Sequence, residues 1–155
     1  MKLQKFTTES TEEKNFRFVK SSAYSVVASS QKEFPLTGIT GQIISCAIDV
    51  HSALGPGLLE GLYEEALIHE FGLRGIKCER QKEIVLNYKG KGIGKHKIDV
   101  IVEDQIIVEL KAVEDMHKIY EAQLLTYLRA MDKRVGLLIN FNVVRLKDGI
   151  KRLVL

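Results

Sequence analysis

Apolar positions along this chain fall into two periods, one helical and one alternating. From Gly38 onward, Ile39, Ile43, Ala47, Val50 and Leu54 recur at helical spacing. That spacing predicts a helix with Thr37 as its N-cap and Gly55-Pro56-Gly57 as its stop. A second helix is predicted over about 58–74, with Leu59, Leu62, Ala66 and Leu73 as its inner stripe and Gly75 closing it. Short strands are expected at Ile76 to Cys78 and at Glu83 to Tyr88, followed by a turn at Lys89-Gly90-Lys91-Gly92 and a strand from Ile93. Two β-branched runs, Lys97 to Val102 and Ile106 to Lys111, flank the polar residues Glu103-Asp104-Gln105, a hairpin pattern. A helix is predicted over about 114–131, with Leu124, Leu128 and Met131 as its apolar stripe. Val135 to Phe141 is nearly all apolar, as in the interior of a sheet. A turn at Lys147-Asp148 leads to a last strand from Gly149 to Leu155. The helix between Lys111 and Val135 is a crossover, so strands 106–111 and 135–141 are expected to be parallel neighbours with a right-handed connection. The fold class is α/β, a mixed sheet flanked by helices.

Composition narrows this picture only slightly. A length of 155 residues is one domain, and 45% hydrophobic with 28% charged residues marks a soluble globular chain. Residues 1–36 are polar and lack a sustained period, although Phe16, Phe18 and Tyr24 to Val27 hold some apolar character. They are expected to form a loosely ordered N-terminal extension to a domain spanning 37–155. Twenty-three basic and 20 acidic residues leave a charge of +3, compatible with a polyanionic partner without requiring one. Cys46 and Cys78 fit neither metal-ligand spacing nor a disulfide framework, as expected of reduced residues in a cytoplasmic protein. The first residues are not expected to act as a signal peptide, since they lead into acids rather than an apolar run, and no apolar run is long enough to span a membrane.

Chemistry concentrates on the hairpin. Glu109 and Lys111 are two apart and leave one face of their strand, while Val108 and Leu110 leave the other. With a three-residue connection Asp99 lies opposite Glu109, Ile101 opposite Ile107 and Lys97 opposite Lys111. A slip of one residue would turn Asp99 to the other face. Two carboxylates at cross-strand distance repel unless one is protonated or a cation lies between them, and hard oxygen ligands suit Mg²⁺ or Mn²⁺. On an exposed face the same Glu-x-Lys would be only a solvated ion pair. Glu60 and Glu64 share a face of the second helix. The helix dipole accounts for Glu60 in the first turn, and pointing at the hairpin would make it a third carboxylate. Tyr63 is expected to pack with its hydroxyl at the rim, and His51 to be a packed or capping residue. Tyr120, Gln123 and Tyr127 share a face of the third helix. Lys89, Lys91, Lys95, Lys97 and Lys111, with His96, cluster around the hairpin. Such a run is usually a solvated surface; here Lys91, Lys95 and Lys97 are candidates for contact with a nucleic-acid backbone.

The ordered set of Glu60, Asp99, Glu109-x-Lys111 and Gln123-x-x-x-Tyr127 resembles the PD-(D/E)XK nuclease superfamily, with Gln-x-x-x-Tyr resembling its RecB-like exonuclease branch. The closer resemblance is to the bacterial GxxExxY family, through Gly57-Leu58-Leu59-Glu60-Gly61-Leu62-Tyr63. Flanking it are His51-Ser52-Ala53-Leu54-Gly55-Pro56, Tyr88-Lys89-Gly90, Val108-Glu109-Leu110-Lys111-Ala112-Val113 and Leu137-Leu138-Ile139-Asn140-Phe141. It covers about residues 38–155. It departs from the family at Lys97, where arginine is frequent; charge is kept but bidentate geometry is not. The resemblance implies a restriction-endonuclease-like core and hydrolysis of phosphodiester bonds, in DNA rather than RNA. It also implies that Asp99, Glu109 and the Leu110 backbone carbonyl hold Mg²⁺ or Mn²⁺, with Glu60 as a further ligand. Lys111 would then position or deprotonate the attacking water, and Gln123 and Tyr127 would orient Lys111 or the phosphate. Two other readings stay open: a nucleic-acid-binding or regulatory module that keeps the fold without turnover, and an oligomeric scaffold in which the hairpin carboxylates form interface salt bridges.

Overall fold

The computed structural model describes residues 36–155. The expectation for the N-terminal extension lies outside the described residues, apart from Leu36. Two helices open the domain, α1 (Thr37–Leu54) and α2 (Glu60–Leu73). Strands β1 (Cys78–Tyr88), β2 (Lys91–Val102) and β3 (Ile106–Lys111) follow. Helix α3 (Lys118–Ala130), β4 (Val135–Asn140) and β5 (Ile150–Val154) complete it. The five strands lie side by side in chain order. Only β3 and β4 are parallel, as their crossover through α3 predicts; every other pair is antiparallel.

The sheet separates two apolar layers. Ile106, Val108 and Leu110 of β3, with Val135, Leu137 and Ile139 of β4, pack against Ile43, Cys46, Ala47 and Val50 of α1 and Tyr63, Leu67 and Phe71 of α2. Ile107 and Leu138 point the other way, onto Leu124, Tyr127 and Leu128 of α3. Two-residue alternation in a sheet covered on both faces makes β3 and β4 apolar throughout. Gly136 lets α3 approach closely, since a Cβ there would lie 2.9 Å from Leu124.

Four local expectations are corrected. Thr37 lies inside α1; the cap is Leu36, in the left-handed region, and the Thr40 hydroxyl bonds back to the Leu36 and Thr37 carbonyls. The buried face of α2 is Tyr63, Glu64, Leu67 and Phe71, whereas Leu59, Leu62 and Leu73 are exposed. Apolar residues occur all round this helix, so spacing alone did not select a face. The two short strands before the turn are one strand, continuous through Gln81, which takes φ 50°. Helix α3 begins at Lys118 rather than near 114, with His117 in extended backbone before it.

Candidate active site

The β2–β3 connection fixes the chemistry. Glu103 and Asp104 both take left-handed backbone, and the Gln105 N–H closes the turn on the Val102 carbonyl at 2.9 Å. The resulting register is Val102↔Ile106, Ile101↔Ile107 and Val100↔Val108. This is the register expected of a three-residue connection, although the paired residues end one step before Asp99 and Glu109. The ladder itself stops at Val100, so Lys97 does not face Lys111; its backbone neighbour across the β1–β2 ladder is Glu83, whose carboxylate pairs with Lys95. Beyond Val100 the strands part, and Asp99 Oδ2 accepts a hydrogen bond from the Leu110 N–H at 2.9 Å. The pleat is disturbed at the same point. Ile98 and Ile101, three apart, pack in one layer, and Gln81, opposite Asp99 on β1, is the left-handed residue.

Glu109 leaves β3 on the α3 face and is 3% exposed. Its Oε1 accepts the Lys111 ammonium at 2.9 Å, whereas its buried Oε2 has no hydrogen-bond partner among the described residues. Burial, then repulsion from Asp99, pushes the Glu109 carboxyl up to about 7. The Lys111 ammonium also donates to the Leu110 carbonyl at 2.6 Å and lies 5.6 Å from the centre of the Tyr120 ring. Burial alone would lower the Lys111 pKa, but the Glu109 hydrogen bond and the charges of Glu109, Glu60 and Asp99 outweigh it and leave it above its usual value. The surrounding carboxylates thus hold the Lys111 ammonium in place.

Glu60 approaches from α2, its Oε2 4.0 Å from the Lys111 ammonium. Partial burial raises its pKa; Lys111 and the Ala112 N–H offset part of that effect. The loop that starts α2 is tied by Tyr63. Its hydroxyl donates to the Gly55 carbonyl at 2.6 Å and accepts from the Leu58 N–H at 3.1 Å, and its ring stacks on Phe141 at 4.5 Å. The hydroxyl is thus buried rather than at the rim. Gly57 takes φ 97° in this loop, backbone that glycine adopts without penalty. Glycine, glutamate and tyrosine at that spacing form one device, in which the tyrosine holds the turn that delivers the glutamate. His51 is a packed residue, its Nε2 2.8 Å from the Val143 carbonyl.

On α3, the Gln123 amide donates to the Tyr127 hydroxyl at 2.5 Å and lies 3.4 Å from His96 Nε2. Burial, then the Glu109 charge, raises Tyr127 to about 12, so its hydroxyl stays protonated. Gln123 and Tyr127 thus bond each other, and the ring that touches Lys111 is Tyr120. Tyr120 belonged to the predicted helical face but not to the predicted site. Asn140 was also missed. It is buried across from Lys111 on β4, accepts the Val113 and Asn142 N–H groups and donates to the Val113 carbonyl. It thereby fixes the chain as it leaves Lys111. A lone asparagine in an apolar strand was the available signal.

The chain matches the family model described as the PD-(D/E)XK nuclease superfamily over residues 37–153. It belongs to the PD-(D/E)XK nuclease superfamily. No curated protein and no solved structure matches it. The mixed sheet with flanking helices is the architecture expected of a PD-(D/E)XK protein. Among the described residues, no helix is long and apolar enough to cross a membrane, and no three His, Cys, Asp or Glu side chains gather into a ready-made metal cluster. The superfamily in general uses divalent metals. The donor set here fits a hard divalent cation in one respect: Glu109 and the Leu110 carbonyl already hold the Lys111 ammonium, and Glu109 Oε2 is a buried acceptor left over.

Proposed function

We propose that this chain is a divalent-metal-dependent nuclease, of the GxxExxY type and with the Gln-x-x-x-Tyr element of the RecB-like branch, that hydrolyses phosphodiester bonds in DNA. The observation that carries the reading is the unpartnered oxygen of buried Glu109, beside Asp99 and a cationic Lys111. A buried carboxylate oxygen without a partner costs about 1–3 kcal/mol or more, which a structural role alone does not explain.

Asp99, Glu109 and the Leu110 carbonyl would hold Mg²⁺ or Mn²⁺, with Glu60 reaching the site from α2. When bound, such an ion polarises a phosphate oxygen and lowers the pKa of a bound water. Lys111 would position or deprotonate that water and offset negative charge as it develops on the phosphate. The Leu110 N–H holds one oxygen of Asp99, leaving the other available. Tyr127, kept neutral and bonded to Gln123, acts as a hydrogen-bonding group towards the phosphate. Tyr63 keeps Glu60 aimed at the site, and Asn140 keeps Lys111 in place.

A second reading has its own support. The Lys111 ammonium already satisfies Glu109 Oε1 and the Leu110 carbonyl, and no three-carboxylate cluster is present among the described residues. Both features suit a binding module without turnover. The deciding experiment is cleavage of plasmid and oligonucleotide DNA, and of RNA, with Mg²⁺ or Mn²⁺. Loss of cleavage in Asp99→Ala and Lys111→Ala is expected. A wild-type protein that neither cuts nor binds metal sinks the nuclease reading and leaves the binding module.

A further inference from the structure

The hairpin that leads into the site is longer than the fold needs. Strand β2 pairs with β3 only from Val100 onward, so Lys91 to Lys97 bond to β1 alone. At about 3.3 Å per residue this ribbon extends roughly 30 Å past its last pairing with β3 at Val100. All of Lys91 to Lys97 are exposed. Its inner side rests on α3 through Ile84, Leu86 and His96, the His96 ring lying 4.9 Å from that of Tyr127. None of the residues from Lys91 to Lys97 is buried, so this part of the ribbon adds little to the core and its length calls for another explanation.

Charge supplies one. Residues 82–97 hold five lysines and one glutamate, a net +4 on a chain whose total is +3. Lys95 is paired with Glu83 and Lys82 with Glu79. Among the described residues Lys89, Lys91 and Lys97 have no carboxylate partner. The tip is a tight turn in which Lys89 and Gly90 both take left-handed backbone, so it is narrow and rigid. At its root the same strand reaches Asp99.

We propose that the β1–β2 ribbon enters the major groove of duplex DNA and that the substrate is double-stranded DNA. The proposal rests on the nuclease reading of the site at the ribbon's root. A B-form major groove, about 12 Å wide, admits a two-stranded β-ribbon, and its walls are the phosphates that unpaired lysines seek. The major groove of duplex RNA is too deep and narrow for such an element, and a single strand offers no groove.

The test is fluorescence anisotropy with the full-length protein in EDTA, so that cleavage does not intervene. The probes are one sequence as duplex DNA, single-stranded DNA and duplex RNA. Lys89→Ala/Lys91→Ala/Lys97→Ala is compared with wild type and with Lys77→Ala/Arg134→Ala/Lys147→Ala, which removes the same charge elsewhere. The ribbon variant is expected to lose at least tenfold in duplex DNA affinity, and the slope of log affinity against log salt to shrink by about 2–3, while the control variant changes less. Equal loss in the two variants, or single-stranded DNA or duplex RNA bound as tightly as duplex DNA, overturns the proposal. Adding Mn²⁺ separates the two readings. Ribbon-dependent duplex binding without cleavage sinks the nuclease and spares the ribbon. Duplex cleavage at equal rates with and without the ribbon lysines sinks the ribbon and spares the nuclease.

Discussion

Glu64 and Glu109 are both glutamates pressed into the interior, 6% and 3% exposed, and they are finished differently. Both oxygens of Glu64 are used: Oε1 accepts Arg80 Nε at 3.1 Å and Oε2 accepts the Gln81 amide at 2.7 Å. These bonds tie α2 to β1 at the left-handed residue opposite Asp99, a structural task that the fold completes. Glu109 has one oxygen on Lys111 and one without a partner among the described residues, a neighbouring Asp99 that repels it, and a carboxyl pushed up to about 7. Equal burial therefore does not mean equal purpose. The carboxylate that the fold satisfies serves the architecture, and the one it leaves unsatisfied is where the proposed ion would bind.

That contrast is sharpest in catalysis. Asp99→Ala, Glu109→Gln and Lys111→Ala should each lower the cleavage rate by roughly 10³-fold or more while the protein stays folded. Glu64→Ala should keep the rate within about tenfold of wild type but lower stability, since the bonds that tie α2 to Arg80 and Gln81 are lost. Cleavage assays paired with urea unfolding check both halves. A Glu64 variant that is stable and inactive would reverse the assignments.

Stability against pH separates the two glutamates next. The Glu109 carboxyl is raised in the fold above its unfolded value of 4.5, so the folded state binds more protons between that value and about 7. Its ionisation therefore costs stability as pH rises through that window, and the cost is absent below it. Glu109→Gln should be more stable than wild type at pH 8, by up to about 3 kcal/mol, with the gap closing near pH 4.5. Urea unfolding at the two pH values measures this. A gap that does not change with pH contradicts the assigned cause.

Smaller effects follow at the edge of the site. Glu60 is half-exposed and 4.0 Å from Lys111, so Glu60→Gln should slow cleavage by about tenfold, less than any change at Glu109. Tyr63→Phe removes a buried hydroxyl from the Gly55 carbonyl and the Leu58 N–H. It should cost about 1–2 kcal/mol and affect the rate only through the placement of Glu60. Thermal unfolding and steady-state rates of the two variants distinguish these outcomes.

Much of this was legible in the sequence because β periodicity is strict. The Glu109-x-Lys111 spacing and the three polar residues 103–105 fixed both the face and the register, and β3, β4 and their parallel pairing followed from apolar runs around a helix. The helix faces were less legible. Apolar residues surround α2, and only the stacking of Tyr63 on Phe141 and its bonds to the loop choose Tyr63, Leu67 and Phe71 over Leu59, Leu62 and Leu73. The role of Asn140 and the contact of Tyr120 with Lys111 depend on chain paths that no local pattern encodes. Nor did spacing reveal that β2 and β3 part at Val100, which removes Lys97 from Lys111 and lets Asp99 bond the Leu110 N–H.

The central claim is that the unpartnered oxygen of Glu109 is a ligand for a divalent ion. Titration calorimetry with Mn²⁺ on wild type, Glu109→Gln and Glu64→Ala, without nucleic acid, tests it most directly. We predict one bound ion for wild type and for Glu64→Ala, with affinity lost in Glu109→Gln. We also predict proton release on binding at pH 6.5, seen as a dependence of the heat on the buffer's ionisation enthalpy, because Glu109 must ionise to bind. Equal Mn²⁺ affinity in wild type and Glu109→Gln would contradict the account.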